Sequence, residues 1–331
     1  MKATGLAAAA GLVAGYAAER AVLTRERDRP DPHRHGDFTV PADARRLHVA
    51  TDDGGRLHAV ERGRGRPLVL LHGVTLSGVA WHFQLLDLAD RFRVLVVDHR
   101  GHGRSEAGSD RSSLGRLARD LRAVLVDLDL RDALVVGHSM GGMVLGRFCA
   151  DHPAVLDERV AGLGFVSTAA NFAFAVPGWQ ALVAATTPVA ARGMRLSGRL
   201  PGGYLPANDL SYLLARVGFG PRPSPRLVEL GRLMSAATPP AVLAELWPDI
   251  VGLDLRAELR SVDLPATVVV GTADRLTPPR RARELATCLP GAELTVLEGA
   301  GHMAMLERRH EVNAALVRLA DRAPAVPSSS W

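Results

Sequence analysis

The sequence predicts a doubly wound α/β fold, in which helices cover both faces of a mostly parallel sheet and a helical cap is inserted. Two observations predict it. Short apolar runs that are too hydrophobic to alternate recur along the 331-residue chain, and helical segments follow them, as in buried parallel sheets. This alternation stops between residues 171 and 262 and then resumes, which indicates an insertion within one core.

The chain opens with an apolar helix, residues 1–24, followed by a charged and Pro-broken linker, residues 25–41. The apolar run is shorter than the roughly 20 residues that a membrane-spanning helix needs. Three interpretations stay open: a helix lying on the protein or on a membrane surface, a true anchor, or a cleaved signal peptide. Membrane-surface association would involve residues 3–23. Localisation stays undecided, and a cytoplasmic or membrane-associated protein is favoured over a secreted one.

The first part of the core is predicted over residues 42–170. It begins with a hairpin whose strands flank the turn residues Asp52 to Gly55. Buried strands are then expected at residues 67–71, 93–97, 133–136 and 163–166, with helices over residues 113–128 and 140–152.

The second part of the core is predicted over residues 263–322. It holds strands at residues 266–270 and 293–297 and helices at residues 279–288 and 304–320, and a frayed tail at residues 323–331 follows it. Aromatic and aliphatic side chains are spread through the cap, residues 171–262. We expect most of them to pack the cap onto the sheet and some, including Trp179, to line a substrate pocket.

Composition excludes several classes of function. The formal net charge is +5, but the basic residues are scattered arginines without a basic run or interleaved aromatics, so no nucleic-acid partner is predicted. Cys149 and Cys288 are the only cysteines and are expected to be free buried thiols. No zinc-ligand spacing occurs, and we predict neither a metal nor a cofactor.

The strongest motif is Gly137 to Gly141, which places Ser139 between two glycines directly after an apolar strand. This arrangement is typical of a nucleophile elbow, a strained strand-to-helix turn that exposes the serine hydroxyl. A serine hydroxyl is a poor nucleophile near neutral pH unless a base takes its proton, and the base needs a carboxylate to orient it. The motif therefore predicts a histidine and an acid further along the chain.

His302 is the predicted base. It lies in a Gly-rich loop after the strand at residues 293–297, where catalytic groups of such sheets collect. The chain order of this fold, with the acid and then the histidine after the serine, leaves two other histidines. His152 precedes any suitable acid, and His310 lies inside the final helix among charged residues.

Asp274 is the predicted acid because it also follows the carboxyl end of a strand, at residues 266–270. Asp254 and Asp263 fit the chain order as well, but both precede that strand. A loop or capping role is the simpler interpretation for them.

Acyl transfer also develops an oxyanion, which preorganised backbone amides stabilise. We predict the amide of Met140, the residue after the nucleophile, as one donor and the amide of Val74 as the second. Gly73 lets the backbone approach the substrate, and His72 and Gly73 are predicted to contact it together with Trp179.

Five sequence blocks, in this order, resemble the α/β-hydrolase superfamily, in its capped branch of serine hydrolases. They are His72-Gly73, Asp98 to Ser105, Gly137 to Gly142, Gly271 to Asp274 and Gly299 to His302. The resemblance spans about residues 56 to 320 and implies an eight-stranded type of sheet. It also implies that Asp98, His99 and His102 belong to a structural turn and not to the catalytic set.

The same resemblance excludes relatives that carry an aspartate nucleophile, such as epoxide hydrolases and haloalkane dehalogenases, because this chain has Ser139. It implies a cofactor-independent esterase or lipase-like enzyme acting on a small apolar ester through an acyl-enzyme. The alternatives are haloperoxidase-like perhydrolysis, carbon–carbon bond hydrolysis, and a non-catalytic ligand-binding relative.

Overall fold

The computed structural model describes residues 20, 24–171, 189, 192–193 and 209–323. Most of the N-terminal apolar segment, the first part of the predicted cap with Trp179, and residues 324–331 lie outside these ranges.

Eight strands form one sheet in the order β1-β2-β4-β3-β5-β6-β7-β8. Their bounds are β1 Arg45–Ala50, β2 Arg56–Arg62, β3 Arg66–Leu71, β4 Phe92–Val97, β5 Ala133–His138, β6 Val160–Val166, β7 Ala266–Gly271 and β8 Glu293–Leu297. The pairs β1–β2 and β2–β4 are antiparallel, and the other neighbours are parallel. The predicted doubly wound, mostly parallel sheet is confirmed.

The helices in the described ranges follow in chain order. Their bounds are α1 His82–Asp87, α2 Leu114–Asp127, α3 Met140–Asp151, α4 Pro153–Arg159, α5 Asp209–Val217, α6 Pro225–Ala237, α7 Pro240–Val251, α8 Arg256–Leu259, α9 Pro279–Cys288, α10 Ala304–Glu307 and α11 Arg309–Arg322. Helices α5 to α8 lie between β6 and β7, so the predicted helical insertion is confirmed. The single helix predicted over residues 304–320 is wrong, because the backbone of Arg308 leaves the helical region (φ −132°, ψ 50°) and separates α10 from α11.

Both faces of the sheet are covered. Along the central strand β3, Val69 and Leu71 pack into one apolar cluster with α2, α3 and α9, whereas Leu68 and Leu70 pack into the other with α1, α10 and α11. Consecutive strand residues point to opposite faces, so a strand that is apolar throughout must be buried on both. Cys149 and Cys288 are free and buried, as expected.

A buried ionic network joins the hairpin to the helical layer. The Arg100 guanidinium is fully buried and donates to Asp53 at 2.8 and 3.1 Å and to Asp120 at 2.6 and 2.8 Å. The hydrogen bond from Arg100 holds the pKa of Asp53 well below its usual range. Asp53 lies in the β1–β2 turn and Asp120 on α2, so one side chain links three segments.

Replacing Arg100 by methionine should lower the free energy of unfolding by about 3–5 kcal/mol, because two buried carboxylates lose the closer of the two guanidiniums that they share, and Arg116 remains at 3.2 Å from each. Urea denaturation followed by circular dichroism measures the change. Arg104→Met is the matched control, since Arg104 is exposed and its side chain makes no hydrogen bond among the described residues. If the two variants were equally stable, the network would not carry the stability assigned to it.

Candidate active site

The predicted catalytic residues Ser139, Asp274 and His302 meet at the carboxyl edge of the parallel strands. The chain runs from β3 outward to β4 and then returns to β5 on the other side of β3, so β3 and β5 flank a topological switch point. Ligands of open α/β sheets bind at such a point, outside the carboxyl ends of the strands. The loops after β3, β5, β7 and β8 carry the residues described below.

Ser139 occupies the sharp turn between β5 and α3. Its backbone has a left-handed φ of 51° with ψ of −119°, a strained conformation for a residue with a side chain. Its carbonyl oxygen accepts a hydrogen bond from Thr168 Oγ1 at 2.6 Å, which helps to hold the turn. A Cβ on Gly141 would collide with the backbone of Leu71, so the motif needs glycine at this position for α3 to start beside β3.

His302 and Asp274 form a hydrogen-bonded pair. The Nδ1 atom of His302 lies 3.0 Å from Asp274 Oδ2 and 3.2 Å from Oδ1, and both side chains are buried. An ionised carboxylate only accepts hydrogen bonds, so the imidazole places its proton on Nδ1 and leaves Nε2 free to accept one. This is the tautomer that a base facing a serine requires.

The surroundings of Asp274 keep it ionised. Burial alone would raise the pKa of Asp274, but the imidazole of His302 and hydrogen bonds from His302 and Thr277 outweigh burial and lower this pKa. The amides of Leu276 and Thr277 donate to Oδ1 at 2.9 Å each, and Thr277 Oγ1 donates to Oδ2 at 2.9 Å. Thr277 was not predicted from the sequence, although its position three residues after the acid is typical of a side chain that closes such a turn.

Replacing Thr277 by valine should lower kcat/KM for ester hydrolysis by about tenfold, because the Asp274 carboxylate loses one hydrogen bond beside the imidazole. Thr277 Oγ1 is also 3.2 Å from His302 Nδ1. Steady-state kinetics on an aryl ester measures the effect, and Thr277→Ser should restore the rate. The exposed Thr287 on α9 offers a matched control, and a loss as large in Thr287→Val would contradict the assignment.

His138, the residue before Ser139, supports the histidine loop. Its ring is fully buried, and burial lowers its pKa to about 3, so it is neutral. Nε2 lies 2.9 Å from the carbonyl oxygen of His302, which can only accept, and therefore Nε2 carries the proton. The two rings are 4.8 Å apart. The sequence offered no signal for this contact, which spans 164 residues.

A half-buried carboxylate fixes the same loop from the other side. Glu307 accepts hydrogen bonds from the amides of Gly301 at 2.9 Å and Gly220 at 2.7 Å. Burial raises the pKa of Glu307. The amide of Met303 also donates to the carbonyl oxygen of Gly218 at 3.0 Å, so the His302 loop is joined to the segment that follows α5.

The loop after β3 lies directly beside the serine. A Cβ on Gly73 would meet the Cβ of Ser139 at 3.1 Å, and Gly73, Val74 and Met140 all line one cavity with it. Met140 is the first residue of α3, so its amide has no acceptor within the helix. In the described part of the chain, the Val74 amide likewise has no hydrogen-bond acceptor.

The structure places His72 differently from the prediction of substrate contact. Its ring is fully buried and does not line the cavity. Nδ1 lies 2.8 Å from the carbonyl oxygen of Gly73, and Nε2 accepts a hydrogen bond from the amide of His99 at 2.9 Å. Both ring nitrogens are thereby engaged in holding the loop. The other predicted contact, Trp179, lies outside the described residues.

A cavity of about 490 Å³ joins the site residues beneath the cap helices. Ser139, Thr277 and His302 line it together with side chains that are mostly apolar. Within the described ranges, no hydrogen bond links the Ser139 hydroxyl to His302. Catalytic contacts of this kind often tighten only when substrate is bound.

The rival residues lie elsewhere. Asp254 is exposed and paired with Arg256, Asp263 is exposed, and His310 is exposed on α11. His152 ends α3 and does not line the cavity.

Two features are absent from the part of the chain that the structure describes. It contains no group of three or more His, Cys, Asp or Glu side chains that could hold a metal ion. Nor does it contain a helix that is long and apolar enough to cross a membrane.

Both the sequence and the structure are similar to those of known proteins. The family model described as alpha/beta hydrolase fold matches residues 66–309. A non-heme chloroperoxidase from Kitasatospora aureofaciens is 30% identical over 269 residues, which cover 76% of this chain and 90% of that protein.

Among solved structures, an esterase from Thermogutta terrifontis aligns with a TM-score of 0.72 at 25% identity, covering 84% of this chain and 98% of that one. The enol-lactonase from Burkholderia xenovorans aligns with a TM-score of 0.69 at 26% identity, covering 83% of this chain and 100% of that one. The structural neighbours therefore include an esterase and an enol-lactonase, and the sequence relatives include a chloroperoxidase.

Proposed function

The chain belongs to the alpha/beta hydrolase fold family, and from this membership we propose that it is a serine hydrolase that cleaves carboxylic esters through an acyl-enzyme. One observation carries the proposal: a serine in a strained elbow shares a cavity with a histidine whose Nδ1 is hydrogen-bonded to a buried carboxylate. This is the set of roles that acyl transfer requires.

In the proposed reaction, Ser139 Oγ attacks the ester carbonyl carbon while His302 Nε2 takes the hydroxyl proton. Asp274 stabilises the imidazolium that forms, and the amides of Met140 and Val74 donate to the oxyanion of the tetrahedral intermediate. Collapse of this intermediate breaks the ester C–O bond, and His302 returns its proton to the departing alcohol. Water, deprotonated by His302, then attacks the acyl-enzyme and releases the carboxylic acid and free Ser139.

The cavity supports a substrate with an apolar portion. Apolar side chains from three different regions line it, among them Met143 on α3, Phe219 after α5 and Ile250 on α7. Its volume lies within the range of about 300–1,000 Å³ that small-molecule sites occupy. Esterase structures among the neighbours favour the same bond type.

The proposal is tested with a fluorophosphonate, which phosphonylates an activated serine. We expect one adduct on the intact protein, located by peptide mapping at Ser139, together with hydrolysis of short acyl aryl esters. Ser139→Ala should give no adduct, whereas Ser261→Ala should be labelled like the parent because Ser261 is exposed on the surface. A folded protein that never reacts at Ser139 would favour a ligand-binding relative without turnover.

A second candidate is perhydrolysis, in which hydrogen peroxide replaces water and the acyl-enzyme is released as a peracid. Similarity to a chloroperoxidase, which is 30% identical to this chain, favours perhydrolysis as the second candidate. Adding peroxide and a carboxylic acid to the same assay distinguishes the two, since peracid formation exceeding ester hydrolysis would make perhydrolysis the main activity.

A further inference from the structure

Among the described residues, the charged side chains that line the catalytic cavity all have the same sign. Within the described part of its lining, three arginines occur and no aspartate or glutamate. Arg281 is engaged, since it donates to Asn171 at 3.1 Å and to Glu284 at 2.8 Å. Arg275 and Arg280 have no hydrogen bond or ion pair with any described residue, unlike the arginines of the Asp53 network.

Arg275 and Arg280 both lie on the segment that follows β7 and carries Asp274. Arg275 directly follows Asp274, inside the turn that the Asp274 carboxylate closes through the amides of Leu276 and Thr277. Arg280 lies in the first turn of α9. Both side chains are exposed while lining the cavity, which places them at its mouth.

The dipole of helix α9 adds to the positive potential of Arg275 and Arg280. Helix α9 has no acidic residue in its first turn and no side-chain cap at Pro278, so the positive end of its dipole is not compensated. Two carboxylates close in sequence already have partners: Asp274 is buried against His302, and Glu284 is paired with Arg256 and Arg281. The mouth is therefore a positively charged rim on an apolar cavity.

We infer that the substrate of this site carries a carboxylate, which Arg275 and Arg280 bind at the mouth while the ester lies at Ser139. The inference rests on the proposed ester hydrolysis. A guanidinium donates to a carboxylate through two parallel hydrogen bonds, so an arginine pair recognises such a group better than a neutral isostere. The matching substrates are monoesters of dicarboxylic acids and lactones that bear a free carboxylate.

The apolar part of the cavity lining supports this arrangement. Val217, Leu276 and Met303 line the cavity, and the side chains of Val217 and Leu276 are partly exposed to solvent. They provide an apolar surface for a methylene spacer, while a terminal charge stays hydrated at the rim.

The test compares matched esters. Monomethyl esters of dicarboxylic acids from succinate to sebacate are assayed against the corresponding carboxamides, which have the same shape without the charge. We expect the ratio of kcat/KM, carboxylate over carboxamide, to exceed about fivefold at the best chain length and to fall with added salt. In Arg275→Gln/Arg280→Gln this ratio should fall towards one.

Arg283→Gln is the matched control, because Arg283 is exposed on the same helix and does not line the cavity. It should keep the ratio of the parent protein. The inference is overturned if kcat/KM for the carboxamides equals kcat/KM for the carboxylates. It is equally overturned if the double variant keeps the parent ratio, or if Arg283→Gln lowers the ratio as far as the double variant does.

Binding to the Ser139→Ala protein separates this inference from the proposed function. Calorimetry should show tighter binding of the carboxylate ester than of the carboxamide, and loss of that difference when both arginines are also replaced. Failure of labelling and turnover at Ser139 would refute the esterase, yet this affinity difference would still decide whether the rim binds a carboxylate. Equal affinities of the carboxylate ester and the carboxamide for Ser139→Ala would refute the inference even if the parent protein hydrolyses esters.

Discussion

Replacing Ser139 by alanine is expected to lower kcat for ester hydrolysis by at least about 10⁴-fold while leaving the fold intact. The hydroxyl forms the covalent bond to substrate, so its loss removes the acyl-enzyme route altogether. What remains is catalysis by the oxyanion donors and by binding. Because Ser139 adopts its strained backbone conformation through Gly141 and Thr168, the alanine variant should keep the same turn.

Single-turnover kinetics on an activated aryl ester, with circular dichroism as a check on folding, measures this effect. Ser261→Ala serves as the matched surface control. A decrease below tenfold would show that another group is the nucleophile.

Replacing Asp274 by asparagine is expected to lower kcat by about 10⁴-fold. The amide oxygen can still accept the hydrogen bonds from Leu276 and Thr277, so the turn is retained. The amide nitrogen, however, is a donor facing His302, and a donor there stabilises the tautomer with the proton on Nε2. That tautomer cannot accept the proton of Ser139.

Asp263→Asn is the informative comparison, because Asp263 fits the same chain order but lies exposed before β7. Its rate should match that of the parent protein. The assignment would be reversed if Asp263→Asn were the slower of the two under saturating substrate.

Local patterns in the sequence were sufficient for much of this structure. The strands could be predicted because a strand buried on both faces must be apolar throughout, and the elbow because glycine is needed where backbones approach. His302 and Asp274 could be proposed because each follows a strand in a recognisable loop. These features depend on residues that are neighbours in the chain.

The residues that the sequence did not reveal act through long-range contacts. His138 reaches the carbonyl oxygen of His302 across 164 positions, and Glu307 binds the amide of Gly220 across 87. A buried histidine and a glutamate in a helix carry no motif that distinguishes these roles. His72 was predicted to contact substrate, but both of its ring nitrogens form hydrogen bonds with the backbone, at Gly73 and His99.

The junction between the cap and the His302 loop restricts how the inserted region can change. Gly220 and Gly301 approach so closely that a Cβ on either would collide with the other segment's backbone. Sequence changes at this junction would displace the base. New substrate preferences, in evolution or in engineering, are therefore expected to arise with residues 218–220 kept as the fixed point at which the cap joins the site.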